Sequence, residues 1–253
     1  MNEQKQNLGN DQEKDAAIDA ILEFLPAEIE VPILPPSGNR YYKLKNPSEP
    51  ITIRPMTYED ERIASKAKGA GGDVLTILLD RCLNNVNVND MYIFDKIYAL
   101  LKLREATYGS DFETTATCKE CSSKCDTKFD LKNVRITPMP EDVSDPHEFS
   151  LPVIQKTAVI RFPKIRDEIY ITGDEARIAK NMWRFVVSID GQTDPYVITK
   201  VMDKLPIQDM HRIMKEISGG DWGIDPKVDF KCPTCNAAYE MELPLNENFF
   251  YKS

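Results

Sequence analysis

Two Cys-x-x-Cys pairs, Cys118/Cys121 and Cys232/Cys235, constrain the fold of this chain more than any other feature of its sequence. Two residues between the cysteines allow a tight turn to aim both thiolates at one point. Two such turns supply four sulfur atoms at tetrahedral corners, which is the usual arrangement of a structural zinc site. The sequence therefore predicts that one Zn²⁺ per chain joins two segments that residues 122–231 separate.

The sequences around the two pairs form a weak internal repeat. A strand-like run precedes each pair (FETTAT and KVDFK), and an alternating run follows each (DTKFDL and YEMELPL). Each segment is predicted to be a hairpin that carries its cysteine pair at the tip. Because four protein ligands leave no position open for water or substrate, the predicted zinc is structural and not catalytic.

The other two cysteines are not assigned to the metal. Cys125 follows the first pair so closely that Cys118, Cys121 and Cys125 could offer three ligands by themselves. The matching position after the second pair is Tyr239, which cannot replace a thiolate, so we interpret Cys125 as a spare sulfur. Cys82, within LLDRCLNN, is interpreted as a small buried core residue.

Composition and the N-terminal sequence argue against several classes of protein. The net charge of −9 disfavours generic DNA binding, because backbone phosphates repel an acidic surface. No apolar run approaches the roughly 20 residues that span a bilayer, and the polar N-terminus has no secretory signal. In the expected reducing cytoplasm, clustered cysteines favour a metal over disulfides. A thioredoxin-like redox pair is the alternative, but neither pair ends a strand that opens a helix.

No catalytic motif is recognisable in the sequence. The two histidines, His147 and His211, lie away from any nucleophile motif. The GAGG at residues 69–72 is not followed by Lys-Ser or Lys-Thr, so it is not a phosphate-binding loop. We therefore expect no enzymatic activity, no catalytic residues and no cofactor other than Zn²⁺.

The predicted fold class is α+β, with helical blocks and a small β region, stapled by a zinc-ribbon-like module made of the two separated CxxC hairpins. The predicted segments follow one another as a disordered tail, short helix and extended arm (1–38), a hairpin plus helical block (39–110), the first half of the zinc-ribbon-like module (111–136), a β and helical insert (137–227), the second half of the module (228–245) and an aromatic C-terminal tail (246–253).

Patterning within these segments predicts individual elements. Two strands, YYKLK and ITIR, are expected to form the hairpin across the turn NPSEP. Helices are expected to begin at the caps Thr57, Asp90 and Asp174, the last of them running through GDEARIAKNMWRFVVSID. EFSLP, KTAVIRFP and EIYIT are expected to be β-structure, and DPYVITKVMDKLP and PIQDMHRIMKEIS to be two shorter helices.

The order of these motifs resembles that of a known family. RPMTYEDE is followed by helices ending LLDRCL and LLKLREATYG, a CxxC segment, a long insert, a second CxxC and the aromatic NENFF. Over about residues 50–250 the chain resembles the baseplate hub/assembly protein family of T-even-like contractile-tailed bacteriophages. The resemblance rests chiefly on LREATYG (103–109), the two CxxC pairs and Phe249-Phe250.

The resemblance implies a non-enzymatic structural or assembly role in the hub of the phage tail baseplate. The implied partners are other tail, baseplate hub or tape-measure proteins, with no membrane. The implied location is the host cytoplasm during assembly, and the sequence leaves open whether the protein then stays in the virion tail baseplate. The competing hypothesis is a zinc-ribbon protein that binds nucleic acid or modulates transcription, which the basic residues near the first pair favour: Lys119, Lys124, Lys128, Lys132 and Arg135.

Two segments are candidates for contacts with partner proteins. One is the Pro-rich arm at 26–38, and the other is the C-terminal run Asn248-Phe249-Phe250-Tyr251. Extended Pro-rich segments bind grooves at little entropic cost, and exposed aromatic side chains are costly to leave in water. The alternative for each segment is that it packs on its own domain.

Overall fold

A computed structural model describes residues 14–21, 29–69, 73–219, 221–243 and 249. The chain divides into two compact units, Met1–Glu30 and Val31–Ser253. In the first unit, residues 14–21 form helix α1, whose Ile18 and Ile21 side chains are exposed. The short helix predicted within residues 1–38 thus overlaps α1, and the rest of it lies outside the described part of the chain. The predicted disordered tail before it also lies outside the described residues, apart from Lys14.

The second unit begins with a small antiparallel sheet in the order β1-β2-β3, formed by β1 (Val31–Ile33), β2 (Ile51–Ile53) and β3 (Leu83–Asn84). The predicted hairpin between residues 41–45 and 51–54 is therefore wrong, because β2 pairs with the arm and with β3. Tyr42 explains the difference. Its buried hydroxyl donates to the Asp95 carboxylate and accepts the Tyr92 backbone N–H, and residues 41–45 form no strand.

Three helices follow β2, namely α2 (Tyr58–Gly69), α3 (Val74–Cys82) and α4 (Ile93–Tyr108). The predicted Thr57 cap is confirmed, since its hydroxyl accepts the Asp60 N–H while the Asp60 carboxylate accepts the Thr57 N–H. The predicted Asp90 cap is wrong, because Asp90 ends a separate 3₁₀ turn and forms an ion pair with Arg166. Gly109, at φ 85°, ends α4 as expected.

Both cysteine pairs lie at the tips of antiparallel hairpins, as predicted. The first hairpin is β4 (Asp111–Thr117) with β5 (Lys124–Asp130), and the second is β11 (Lys227–Lys231) with β12 (Ala238–Glu242). Strand β6 (Arg135–Thr137) pairs with β10 (Gly223–Asp225). Because β6 follows the first hairpin and β10 precedes the second, this pairing brings the two hairpins together despite the long insert between them.

The insert contains a sheet in the order β7-β8-β9, formed by β7 (His147–Ser150), β8 (Thr157–Ile160) and β9 (Val186–Ile189). Four helices accompany it, namely α5 (Glu168–Ile171), α6 (Glu175–Asn181), α7 (Pro195–Met202) and α8 (Ile207–Ile217). EIYIT is therefore helical and not β-structure. The helix that Asp174 caps ends at Asn181 and not at the end of VVSID, because Val186 and Val187 belong to β9, which pairs with β8.

Aromatic side chains connect α4 to the insert. Tyr92 stacks on Phe94, and both rings meet Phe162 edge-on. His147 stacks on Phe162, and Trp222, just before β10, contacts the same ring edge-on. This cluster fixes the insert against α4, and with it the position of β10 beside β6. None of the described helices is long and apolar enough to cross a bilayer.

Candidate metal centre

Four sulfur atoms from the two hairpin tips converge on one point. The Sγ atoms of Cys118 and Cys235 lie 3.7 Å apart, those of Cys121 and Cys232 also lie 3.7 Å apart, and all four lie within 4.8 Å of one another. A tetrahedral zinc with Zn–S bonds of about 2.3 Å separates its sulfurs by about 3.8 Å. The sulfurs are too far apart for disulfides, whose S–S bonds measure about 2.05 Å.

The backbone of the first tip explains how two thiolates come to face the same way. The Cys118 N–H donates to the Ser123 carbonyl at 2.9 Å, and the Ser122 N–H donates to the Cys118 carbonyl at 3.0 Å. Ser122 takes a left-handed conformation, with φ 58°. This closed turn lets Cys121 follow Cys118 on the same side of the chain.

The second tip has the same hydrogen bonds at the equivalent residues. The Cys232 N–H donates to the Ala237 carbonyl at 2.9 Å, the Asn236 N–H donates to the Cys232 carbonyl at 2.9 Å, and Asn236 has φ 60°. Asparagine enters this conformation more readily than most residues. The weak repeat in the sequence therefore corresponds to two closely matched turns that supply two sulfurs each.

Burial divides the four cysteines into two types. The first cysteine of each pair, Cys118 or Cys232, is almost completely buried, and the second, Cys121 or Cys235, is exposed. A metal held by all four would thus lie at the protein surface with its coordination filled by sulfur. Such a centre has no open position for substrate and is suited to joining two segments of chain.

Backbone N–H groups at the tips stabilise the thiolate form of two cysteines. The Cys235 N–H, together with that of Thr234, lowers the pKa of Cys232 to about 6. The Ser123 hydroxyl and backbone N–H lower the pKa of Cys121. Since thiolates bind zinc and thiols do not, these turns favour the metal-binding form before a metal arrives.

The pKa of Cys235 shifts in the opposite direction to the pKa values of Cys232 and Cys121. The Ala237 N–H lowers its pKa, but partial desolvation by the surrounding tips and the sulfurs of Cys121 and Cys232 outweigh that effect and raise the pKa to about 12. Four thiolates this close repel one another, so the last of them ionises only with difficulty. A bound cation would supply the missing positive charge, and binding would release the proton.

Two side chains that the sequence does not assign to the metal also approach the sulfurs. Cys125 is buried, with its Sγ atom 3.8 Å from that of Cys232, although it is not among the four that lie within 4.8 Å of one another. The Tyr239 hydroxyl accepts the Lys119 N–H of the opposite tip at 2.9 Å. The equivalent positions of Cys125 and Tyr239 in the sequence repeat were the signal that both residues lie close to the cysteines. Cys82, by contrast, is completely buried in the core, as expected.

The C-terminal aromatic segment meets the first hairpin at its base. The Phe249 ring is buried against Phe112 with ring centroids 5.0 Å apart, and the Phe249 carbonyl accepts the Arg104 Nε–H at 3.0 Å. Phe249 is therefore not an exposed anchor for a partner, but folds back on its own domain. Phe250 and Tyr251 lie outside the described residues.

The family of the chain follows from its match to a family model. The model described as T4 bacteriophage base plate protein matches residues 39–251, a range that contains both hairpins and the insert. The chain belongs to the T4 bacteriophage base plate protein family. Neither a curated protein nor a solved structure matches this chain. The resemblance noted in the sequence is thus confirmed at the level of the family, and the chain is a structural protein of a phage base plate.

Proposed function

We propose that this base plate protein is a zinc-stapled structural or assembly protein of the baseplate hub, acting without catalysis through contacts with other tail proteins. The observation that carries the zinc centre is the convergence of four sulfur atoms from two distant hairpins, 3.7 Å apart across the two pairs. The place in the hub rests on the resemblance in motif order together with family membership.

Zinc in this position would stabilise the fold of the whole second half of the chain. The metal closes a loop that contains the whole insert, so it removes much of the conformational freedom of the unfolded chain. Because the four ligands come together only in the folded protein, the free energy of zinc binding adds to the free energy of folding. A base plate subunit held in this way presents fixed surfaces to its neighbours.

The arm supplies the exposed apolar surface that we assign to partner binding. From Val31 onward the arm belongs to the second unit, because Ile33 is buried and β1 pairs with β2. However, Val31 and Leu34 project into solvent, with 43% and 66% of their surfaces exposed. Among the strands of the described residues, β1 is also the edge of its sheet, and edge strands accept a further strand from a partner.

A matched pair of variants tests the proposed contact. Leu34→Ser is compared with Ile207→Ser, which removes an equally exposed apolar side chain from α8 (66% and 67% exposed). Each variant is co-expressed with the hub and tape-measure proteins of the same phage, and zinc content and co-purification are measured together. We expect Leu34→Ser alone to lose a partner while both variants keep zinc. Equal partner binding by both variants would show that the arm is not the contact surface.

The alternative of a nucleic-acid-binding zinc ribbon receives less support from the first hairpin. Two of the cations that favoured it are paired with carboxylates, Lys128 with Asp111 at 2.7 Å and Arg135 with Asp225 at 3.6 Å. Such pairing reduces the charge available for phosphates. A gel-shift assay at low salt would distinguish the two functions, and we expect no shift.

A further inference from the structure

Cys125 and Tyr239 occupy equivalent places in the two hairpins. Each stands four residues after the second cysteine of its pair, Cys121 or Cys235. Each lies on the second strand of its hairpin, where Cys125 pairs with Ala116 and Tyr239 pairs with Phe230. Because the two turns share the same hydrogen bonds, these two side chains are directed at corresponding points of the opposite tip.

Both side chains cross to the other hairpin. The Sγ atom of Cys125 lies 3.8 Å from that of Cys232, the first cysteine of the second pair. The Tyr239 hydroxyl accepts the backbone N–H of Lys119, which follows the first cysteine of the first pair, at 2.9 Å. The Lys119 ammonium also lies 5.3 Å from the centre of the Tyr239 ring. Each hairpin therefore touches the buried cysteine of the other, or the residue next to it.

The residue of the second hairpin that corresponds to Lys119 explains why position 125 holds a thiol whereas position 239 holds a phenol. That residue is Pro233, which has no backbone N–H to donate. A phenol oxygen at position 125 would lack the donor that Tyr239 receives from Lys119. A thiol needs no such donor, since sulfur accepts hydrogen bonds only weakly.

We propose that Cys125 and Tyr239 are positioning residues of the metal centre. Cys125 donates a hydrogen bond to the buried Cys232 thiolate, which is a stronger acceptor than the Ser123 carbonyl that lies 3.6 Å from the same Sγ atom. Tyr239 holds the first tip beside Cys118 by accepting the Lys119 N–H. The inference rests on the proposed zinc centre. Four thiolates around Zn²⁺ carry a net charge of about −2, and a donor that faces a ligand sulfur disperses that charge and fixes its direction. Cys125 is buried, so water cannot take its place.

The test compares variants that remove each contact with variants that keep it. Cys125→Ala removes the thiol donor, Tyr239→Phe removes the acceptor of the Lys119 N–H, Cys125→Ser retains a donor, and Tyr196→Phe changes an exposed tyrosine of α7 as a control. The rate of zinc transfer to a chromogenic chelator is measured on the full chain. We expect transfer about 10- to 100-fold faster for Cys125→Ala and Tyr239→Phe, in line with the loss of hydrogen bonds around metal ligands elsewhere. Cys125→Ser and Tyr196→Phe should match the wild type.

Cobalt substitution separates a positioning role from ligation. The sulfur-to-cobalt absorption of Cys125→Ala should equal that of the wild type, because all four ligand thiolates remain. A lower absorption would make Cys125 a ligand and overturn the inference. Wild-type transfer rates in both Cys125→Ala and Tyr239→Phe would also overturn it, while leaving the zinc centre intact. A wild-type protein that binds no metal would instead refute the zinc centre itself.

Discussion

The Asp95 carboxyl group should make the stability of the protein depend on pH in a range where most carboxyl groups have no effect. Asp95 is completely buried in α4, where it accepts the Ser37 N–H at 3.2 Å and the Tyr42 hydroxyl. Burial raises its pKa from 3.8 to about 6, although hydrogen bonds from Ser37 and Tyr42 act in the opposite direction. These bonds attach the segment after β1 to α4, so the effect reports on the attachment of the arm.

The sign and size of the effect follow from that shift. A carboxyl group whose pKa is higher in the folded state binds its proton more tightly there, so protonation favours folding. The stabilisation is complete below pH 4 and is lost as the pH rises to about 6. A shift of about two units corresponds to about 3 kcal/mol of unfolding free energy. Asp95→Asn, which resembles the protonated form, should keep that stabilisation at every pH.

Urea unfolding of the wild type and Asp95→Asn between pH 4 and pH 8 measures this difference. Other pH effects, including protonation of the cysteines, are common to both proteins and cancel on subtraction. We expect equal stability near pH 4 and an advantage for Asp95→Asn that grows to about 3 kcal/mol at pH 7. An advantage that stays constant with pH, or a less stable Asp95→Asn at pH 7, would refute the reasoning.

Three further substitutions test the packing around the hairpins and helices by urea unfolding. Phe249→Ala should lower the unfolding free energy by about 3–5 kcal/mol, because the ring is buried, and an unchanged value would show that the C-terminal contact does not form. Gly109→Ala should lower the unfolding free energy by about 1–3 kcal/mol through backbone strain alone, since φ is 85° and no atom lies within 4 Å of the added carbon. An unchanged unfolding free energy would contradict the left-handed conformation at the end of α4. Asp60→Asn should cost about 3 kcal/mol or more, because the buried carboxylate accepts hydrogen bonds from Arg54 and Arg81, and a loss below 1 kcal/mol would argue against that network.

The sequence predicts the elements whose determinants are close together along the chain. The tips of the two hairpins are such elements, because the spacing of each cysteine pair and the alternation beside it lie within a few residues. The Thr57 cap and the end of α4 at Gly109 are local in the same sense. The convergence of Cys118 with Cys235 was predictable as well, because tetrahedral coordination requires two pairs.

Contacts between distant residues decide the elements that the sequence misassigns. Residues 41–45 do not form a strand because Tyr42 makes hydrogen bonds with Asp95 and Tyr92, which no local pattern reveals. EIYIT alternates like a strand. However, the Asp167 carboxylate accepts the Lys164 N–H and closes a 3₁₀ turn over Ile165–Asp167, and this turn continues directly into α5. Val186 belongs to a strand because β8 is available to pair with it.

The contacts between the two hairpins at the metal centre also could not be predicted from local sequence patterns. Alignment of the repeat identifies Cys125 and Tyr239 as equivalent, yet their distances from Cys232 and Lys119 depend on how the two hairpins face each other. That arrangement depends on the pairing of β6 with β10 and on the aromatic cluster around Phe162. Neither is encoded within the hairpins themselves.

The zinc content of the full chain, prepared without chelator, decides whether the four cysteines hold a metal. Elemental analysis of the wild type and of Cys118→Ser, Cys232→Ser and Cys125→Ser gives the metal bound per chain. We expect about one zinc in the wild type and in Cys125→Ser, and loss of zinc in the other two variants. A wild-type protein free of metal, or one whose zinc survives both Cys118→Ser and Cys232→Ser, would contradict this expectation.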